Sequence, residues 1–335
     1  MGLNDLLHRP LRDLRISVTD RCNFRCTYCM PKEVFGRDYL FLDREQLLSY
    51  EQISRLANIF VGLGVRKIRI TGGEPLLRRD IDHLISMLAA ISGLEDLTLT
   101  TNGALLEEQA SRLSRAGLQR VTVSLDSLDN AVFRSMNDAA VPVTAVLAGI
   151  DAAAAAGLRP IKINAVVRRG VNDHTLVDLA RRFHGTGHIV RFIEYMDVGT
   201  TNGWRMDDVV TAKEIINRID AAMPIEPVTS HEPGPVAQRW RYRDGGGEIG
   251  VIASVSEPFC GTCTRMRLAP EGKLYTCLFA AEGHDLKSRL DRGDTDEQIT
   301  EFITKVWQHR RDEYSQIRSA QIPLRPRIEM SYIGG

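Results

Sequence analysis

Six cysteines fall into two sets of three: Cys22, Cys26 and Cys29 near the start, and Cys260, Cys263 and Cys277 near the end. Thiols this closely spaced read as metal ligands before they read as disulfides, whose pairs would have to cross between distant sets. Four thiolates close a usual iron–sulfur cluster or structural zinc site. Three leave one metal corner open, and an open corner can hold a reacting ligand. Spacing alone leaves zinc in play at both sets, completed by His8 or His83 at the first and by His284 at the second, since Cys-x2-Cys is a common zinc half-site.

The elements that must position these sets follow from hydrophobic periodicity. Residues 14–19 alternate apolar and polar, as a half-buried strand does, and the first cysteine set follows at once. Further strands are expected at 65–70, 96–101, 120–125, 160–167 and 188–195, with helices at 45–62, 80–91, 105–116, 143–156 and 174–184. Regular alternation of strand and helix predicts an α/β protein with a parallel sheet, an incomplete (β/α)6 TIM-like barrel. Functional groups of such a fold gather at the C-terminal ends of the strands. The first cysteine set, the turn Gly72-Gly73-Glu74-Pro75, Thr100, Ser124 and Met196 all fall there. After residue 204 the rhythm breaks into short strands and Pro- and Gly-rich stretches. Residues 1–204 are therefore expected as the core, and 205–335 as a smaller α+β subdomain carrying the second cysteine set. Its Gly334-Gly335 end is mobile by composition.

The chain of 335 residues has 43 Lys and Arg against 43 Asp and Glu. A net charge of zero argues against nucleic acid as a partner. No apolar run approaches the ~18 residues of a membrane span, and residues 1–10 do not read as a secretory signal. A soluble, cytoplasmic protein is expected. An anionic ligand would then need a local group of cations. Arg265 and Arg267 are one residue apart on an expected strand, hence on one face, with Met266 between them. Arg15, Arg69, Lys162 and Arg191 also lie on expected strands. Arg15 and Arg69 alternate with Ile16, Ile68 and Ile70, which turns them away from the helices and into the barrel.

Cysteines with three and two intervening residues, just after a first strand and ahead of a Gly-Gly-Glu-Pro turn, resemble the radical S-adenosylmethionine (SAM) superfamily. The resemblance implies a [4Fe-4S] cluster on Cys22, Cys26 and Cys29. SAM would bind at its open iron and be cleaved by one electron to methionine and a 5′-deoxyadenosyl radical. By the same route Tyr28, Gly72, Gly73, Glu74, Ser124 and Met196 become SAM contacts.

With Cys260-x2-Cys263-x-Arg265-x-Arg267, Cys277 and the terminal Gly334-Gly335, the chain also resembles one family within that superfamily over nearly its whole length. These are the GTP 3′,8-cyclases of molybdenum-cofactor biosynthesis. This resemblance implies a second [4Fe-4S] cluster on Cys260, Cys263 and Cys277, with the guanine of GTP at its open iron. Substrate contacts would come from Arg15, Arg69, Lys162, Arg191, Arg265, Met266 and Arg267, from Thr100 (or Thr101), and from Gly334 and Gly335. Hydrogen would be taken from ribose C3′ and the ring closed onto C8. No Gly-x4-Gly-Lys-Ser/Thr loop is present, so the triphosphate would be held and not hydrolysed. A flavodoxin- or ferredoxin-type electron donor is implied. So is product hand-off to the next enzyme, cyclic pyranopterin monophosphate synthase, and a homodimer is allowed. The alternatives are a peptide-modifying radical SAM enzyme, which would carry more C-terminal cysteines, and a zinc-stabilised nucleotide-binding protein.

Overall fold

The computed structural model describes residues 2–229, 236–318 and 327–335. Its centre is six adjacent parallel strands: β1 (Asp13–Ser17), β2 (Lys67–Thr71), β3 (Asp96–Thr101), β4 (Arg120–Ser124), β5 (Lys162–Val167) and β6 (Ile189–Glu194). The crossovers carry α1 (Tyr50–Gly62), α2 (Ile81–Ala89), α3 (Leu106–Arg115), α4 (Asn130–Asn137), α5 (Val143–Ala155) and α6 (Leu176–Phe183). Alternation along the strands decides what each face does. Leu14, Ile16, Ile68, Ile70, Ile163 and Phe192 are fully buried in one cluster with helix residues such as Leu56, Phe60 and Leu84. The opposite face carries polar and charged side chains.

The C-terminal part is joined to the core through the same sheet. After α7 (Ala212–Ala222), the hairpin of β7 (Ile225–Pro227) and β8 (Gln238–Tyr242) leads into β9 (Glu248–Ile252), which pairs parallel with β6. At the other edge β10 (Arg265–Leu268) pairs parallel with β1, in the register Arg15↔Arg267. β11 (Lys273–Tyr275) and β12 (His284–Asp285) continue outward antiparallel. The six expected parallel strands thus become a run of eight. The last two are contributed by residues far along the chain, a pairing that local periodicity does not reveal. Two short helices, α8 (Lys287–Asp291) and α9 (Asp296–Gln308), follow, and then α10 (Tyr314–Ile317).

Three local expectations are corrected. The helix expected from residue 45 begins at Tyr50, because Ser49 caps it: the Ser49 hydroxyl accepts from Gln52 N and the Gln52 side chain accepts from Ser49 N. Helix α4 was not expected; Asp129 caps it by accepting from Ala131 N and Val132 N. The approach to Gly334-Gly335, which the sequence reading left without an element, is also helical: Met330–Ile333 form a short helix, α11, with Ser331 and Ile333 buried.

Ile68 lies at the centre of the buried cluster. Ile68→Ala is expected to cost about 2–5 kcal/mol by lost burial and a residual cavity. Leu40→Ala, at a side chain 93% exposed, should stay within about 0.5 kcal/mol. Urea unfolding midpoints of the two variants check the contrast.

Candidate active site

The first cysteine set leaves the end of β1 against the end of β2. Val18 N donates to Thr71 O (2.9 Å), Gly73 N to Thr19 O (2.8 Å) and Glu74 N to Arg21 O (2.8 Å). This approach requires glycine. A Cβ at Gly72 would lie 2.7 Å from the Thr19 carbonyl oxygen, and one at Gly73 would collide with the Arg21 backbone. The far side of the cysteine loop is held by the last turn of α4, where Asn137 O and Met136 O accept from Arg25 N and Thr27 N at 2.9 Å.

Cys22, Cys26, Cys29, Tyr28, Gly72, Gly73, Thr100, Thr101, Ser124, Met196 and Gly335 line one cavity. Glu74 does not line it. Its buried carboxylate is consumed locally, accepting from Leu76 N (3.0 Å), Thr101 Oγ1 (2.8 Å) and Asn102 N (2.7 Å), and so ties the β2 loop to the β3 loop. Burial raises this carboxyl to about 7 against those donors. Tyr28 is fixed by a residue the sequence reading left out: its hydroxyl donates to Asp126 Oδ2 at 2.8 Å, and Asp126 Oδ1 accepts from Val166 N at 2.9 Å. Burial holds the Asp126 carboxyl up to about 6. Asn102, at the strand end beside Thr100 and Thr101, also lines the cavity, as does Asn164, which was missed. The position of Asp126 at a strand end was the available signal.

Beyond the cavity, the same sheet face becomes cationic. In-register pairing sets Arg267, Arg15 and Arg69 side by side on β10, β1 and β2. Arg69 donates from Nη1 to Thr100 Oγ1 (2.9 Å) and Thr122 Oγ1 (3.0 Å), and Arg191 from Nε to Asn164 Oδ1 (2.9 Å). These contacts join the cations to the cavity wall. Among the described residues, Arg15, Arg69, Lys162, Arg191, Arg265 and Arg267 form no ion pair with a carboxylate, whereas their neighbours Lys67 and Arg120 share Asp96. Burial and then Arg191 and Arg120 lower Arg69 to about 9; burial and the same arginines lower Lys162 to about 7. Burial, then Arg265 and Arg69, push Arg15 down as well. A half-buried set of cations that suppress one another's charge is a site that gains by receiving an anion.

Met266, expected with this group, is corrected: it alternates with Arg265 and Arg267, so its side chain faces the helices and is fully buried in the apolar core. Arg267 is buried and donates to the carbonyls of Ile333 and Gly334, which brings the tail to the cation row. The same tail reaches the first set: Met330, Ser331 and Gly335 line the cavity together with Cys29, and the Ser331 amide works against the burial that raises the Cys29 thiol.

Of the second cysteine set, Cys260 and Cys263 flank a short turn at the start of β10 and Cys277 follows β11. Arg265 directs Nε and Nη2 at Cys263 Sγ, both at 3.3 Å. Against burial, which raises it, Arg265 and Arg310 pull the Cys263 thiol down to about 6. At the first set burial raises Cys22 to about 11, and burial together with the neighbouring thiols raises Cys26. Thiolates crowded in this way need a cationic centre among them.

The residues present fit an iron–sulfur cluster at each set: three thiols, with backbone N–H donors on sulfur from Phe24 to Cys22 and from Phe279 to Cys277, both at 3.4 Å. Among the described residues no three Cys, His, Asp or Glu side chains are drawn in tightly enough for one metal ion. A four-iron cluster asks less, because each thiolate meets a different iron.

Comparison with known proteins agrees with this geometry. A family model described as Radical SAM superfamily matches residues 16–183, and one described as Molybdenum Cofactor Synthesis C matches residues 188–316. Similarity of fold extends to the Streptococcus suis SuiB crystal structure bound to S-adenosylmethionine, with a TM-score of 0.63 at 15% identity over 88% of this chain and 68% of that one. The chain is a radical SAM protein that keeps a [4Fe-4S] cluster and SAM as its cofactors. A relative from Acidothermus cellulolyticus named GTP 3′,8-cyclase is 53% identical, covering 99% of each chain. One of the same name from Xanthomonas campestris pv. campestris is 50% identical, over 99% of this chain and 97% of its own. Within the superfamily, this chain belongs to the GTP 3′,8-cyclase family.

Because burial and the neighbouring arginines hold Lys162 down to about 7, its contribution to anion binding should fade as pH rises through that value. Inorganic tripolyphosphate, titrated calorimetrically from pH 6.5 to 8.5, is expected to lose more affinity on the wild-type chain than on Lys162→Met. Equal slopes would show that Lys162 does not meet the anion.

Proposed function

We propose that this chain converts GTP to (8S)-3′,8-cyclo-7,8-dihydroguanosine 5′-triphosphate, the opening step of molybdenum-cofactor biosynthesis. The observation that carries the reading is the row of cations on one sheet face, without a carboxylate ion pair among the described residues, between the cavity at the first thiol set and a second set of three thiols. Family membership supports it. Cys22, Cys26 and Cys29 would hold one [4Fe-4S] cluster and Cys260, Cys263 and Cys277 another, the second orienting guanine. With cluster and SAM bound, the first site supplies a 5′-deoxyadenosyl radical as the acceptor of a substrate hydrogen.

The chain's own residues do the rest. Arg15, Arg69, Lys162 and Arg191 receive the triphosphate, which carries about four negative charges near neutral pH. Planar guanidinium forks suit its oxygens. Arg265 and Arg267 stand beside the second thiol set, where the nucleotide's other end would lie. The Thr100 hydroxyl, already bonded to Arg69, is placed to face the same ligand. Tyr28, fixed by Asp126, together with Gly72, Gly73, Ser124 and Met196, shapes the SAM side of the cavity. The Gly334-Gly335 tail, fastened by Arg267, covers the space between. Holding both reactants in one water-poor cavity is what a short-lived carbon radical demands. An external one-electron donor of flavodoxin or ferredoxin type is required, and the next enzyme, cyclic pyranopterin monophosphate synthase, would take the product.

Anaerobically purified protein is expected to carry about eight irons per chain, as two four-iron clusters require. With reductant, SAM and GTP it should form 5′-deoxyadenosine together with a cyclic GTP-derived product. If 5′-deoxyadenosine appears with no such product, the cyclase reading is wrong.

A further inference from the structure

The two cysteine sets are held in different ways. The first is braced by neighbouring loops and by α4. The second is gripped through its backbone carbonyls by two buried guanidiniums that come from opposite ends of the chain. Arg9 donates from Nη1 to Cys260 O and Asp312 O, both at 2.8 Å. Arg310 donates from Nη1 to Cys263 O at 2.7 Å and from Nε to Thr276 O at 3.1 Å, the residue before Cys277. Each of the three thiol positions therefore has a guanidinium on its own or its neighbour's carbonyl.

One carboxylate joins the two arginines. Asp5 Oδ2 accepts from Arg9 Nε at 2.6 Å and from Arg310 Nη1 at 3.3 Å, while Oδ1 accepts from the backbone N–H groups of Leu7 and Arg9 at 2.9 Å. All three side chains are at most 2% exposed. Trp307 underlies the Arg310 guanidinium at 4.6 Å and donates from Nε1 to Arg9 O at 3.1 Å. A charge triad this deep is a costly way to gain stability, and apolar side chains of the same volume would often do better. What a planar guanidinium adds is geometry: its fixed fork sets two carbonyls relative to one another, which a lysine cannot do.

We propose that Asp5, Arg9 and Arg310 are positioning residues for the second three-thiol site, and that the N-terminal segment is a strap that sets its shape. The strap acts through backbone carbonyls and touches neither substrate nor sulfur. This rests on reading Cys260, Cys263 and Cys277 as cluster ligands. Partners one layer behind the ligands of a metal centre commonly change its affinity by about 10- to 100-fold when removed.

The test uses the full chain, purified anaerobically, as wild type, Asp5→Asn and Arg310→Lys. The lysine variant keeps the charge and loses the fork, so it serves if the buried-charge change in Asp5→Asn prevents folding. Each cysteine is followed separately by iodoacetamide labelling and mass spectrometry. The electron paramagnetic resonance spectrum of the reduced protein and the unfolding midpoint are recorded on the same samples. The expected result is labelling of Cys260, Cys263 and Cys277 about tenfold faster in both variants, with a changed second-cluster signal. Cys22, Cys26 and Cys29 should label at the wild-type rate. Labelling that rises equally at all six cysteines as the midpoint falls would reduce the triad to a general stabiliser and overturn the proposal. Unchanged labelling would overturn it as well. Wild-type protein with about four irons would instead sink the two-cluster reading, and the strap would still be judged by the ratio of labelling rates.

Discussion

The constraint on which the rest depends is electrostatic. Parallel pairing of β10, β1 and β2 brings Arg267, Arg15 and Arg69 into one row on adjacent strands, and strands lie only about 4.8 Å apart. Two guanidiniums about 7 Å apart at an effective dielectric of ~20 repel by roughly 2 kcal/mol. Asp13 and Asp96 offset part of that repulsion at Arg15 and Arg69, but among the described residues no carboxylate makes an ion pair with the row. A fold that keeps like charges half-buried together, while placing Asp96 beside Lys67 and Arg120 two residues back along the strands, reserves the row for an anion it does not itself contain.

That reservation explains the order of parts along the sheet. Strand C-terminal ends carry the first thiol set and the residues that line the cavity with it. The cations follow on the same face, and the second thiol set stands beside β10, the strand that supplies Arg265 and Arg267. The C-terminal segment reaches both ends at once: Ser331 lines the cavity with Cys29, and the Gly334 carbonyl accepts from Arg267. Further ties fasten it. Glu329 accepts from Thr200 N and Thr201 Oγ1, and Arg327 pairs with Asp197 at 2.9 Å. A tail anchored at so many points is part of the cavity wall, which glycine composition alone does not suggest.

Much of this was legible in the sequence, and the reasons for success and failure are physical. Short-range spacing identified both thiol sets. Period-two alternation put Arg15 and Arg69 opposite Ile16 and Ile70. A Gly-Gly turn marked a close backbone approach. What escaped depends on partners distant in sequence. Nothing local says that residues 265–268 pair with 13–16, or that Asp126 receives the Tyr28 hydroxyl. Asp5, Arg9 and Arg310 look like ordinary solvated charges until the fold buries them together. Met266 was placed with its neighbours by adjacency, although the same alternation that grouped Arg265 with Arg267 excludes its side chain. Glu74 belonged to a recognisable turn, yet its carboxylate is spent on the backbone of the next loop.

The central claim is that one cavity brings a hydrogen of bound GTP to the radical generated at the first thiol set. GTP carrying deuterium at ribose C3′, incubated with reductant, SAM and the iron-loaded chain, tests it directly. Mass spectrometry of the 5′-deoxyadenosine should show one deuterium gained. A 5′-deoxyadenosine without deuterium, formed while the label stays in the nucleotide, would contradict the account.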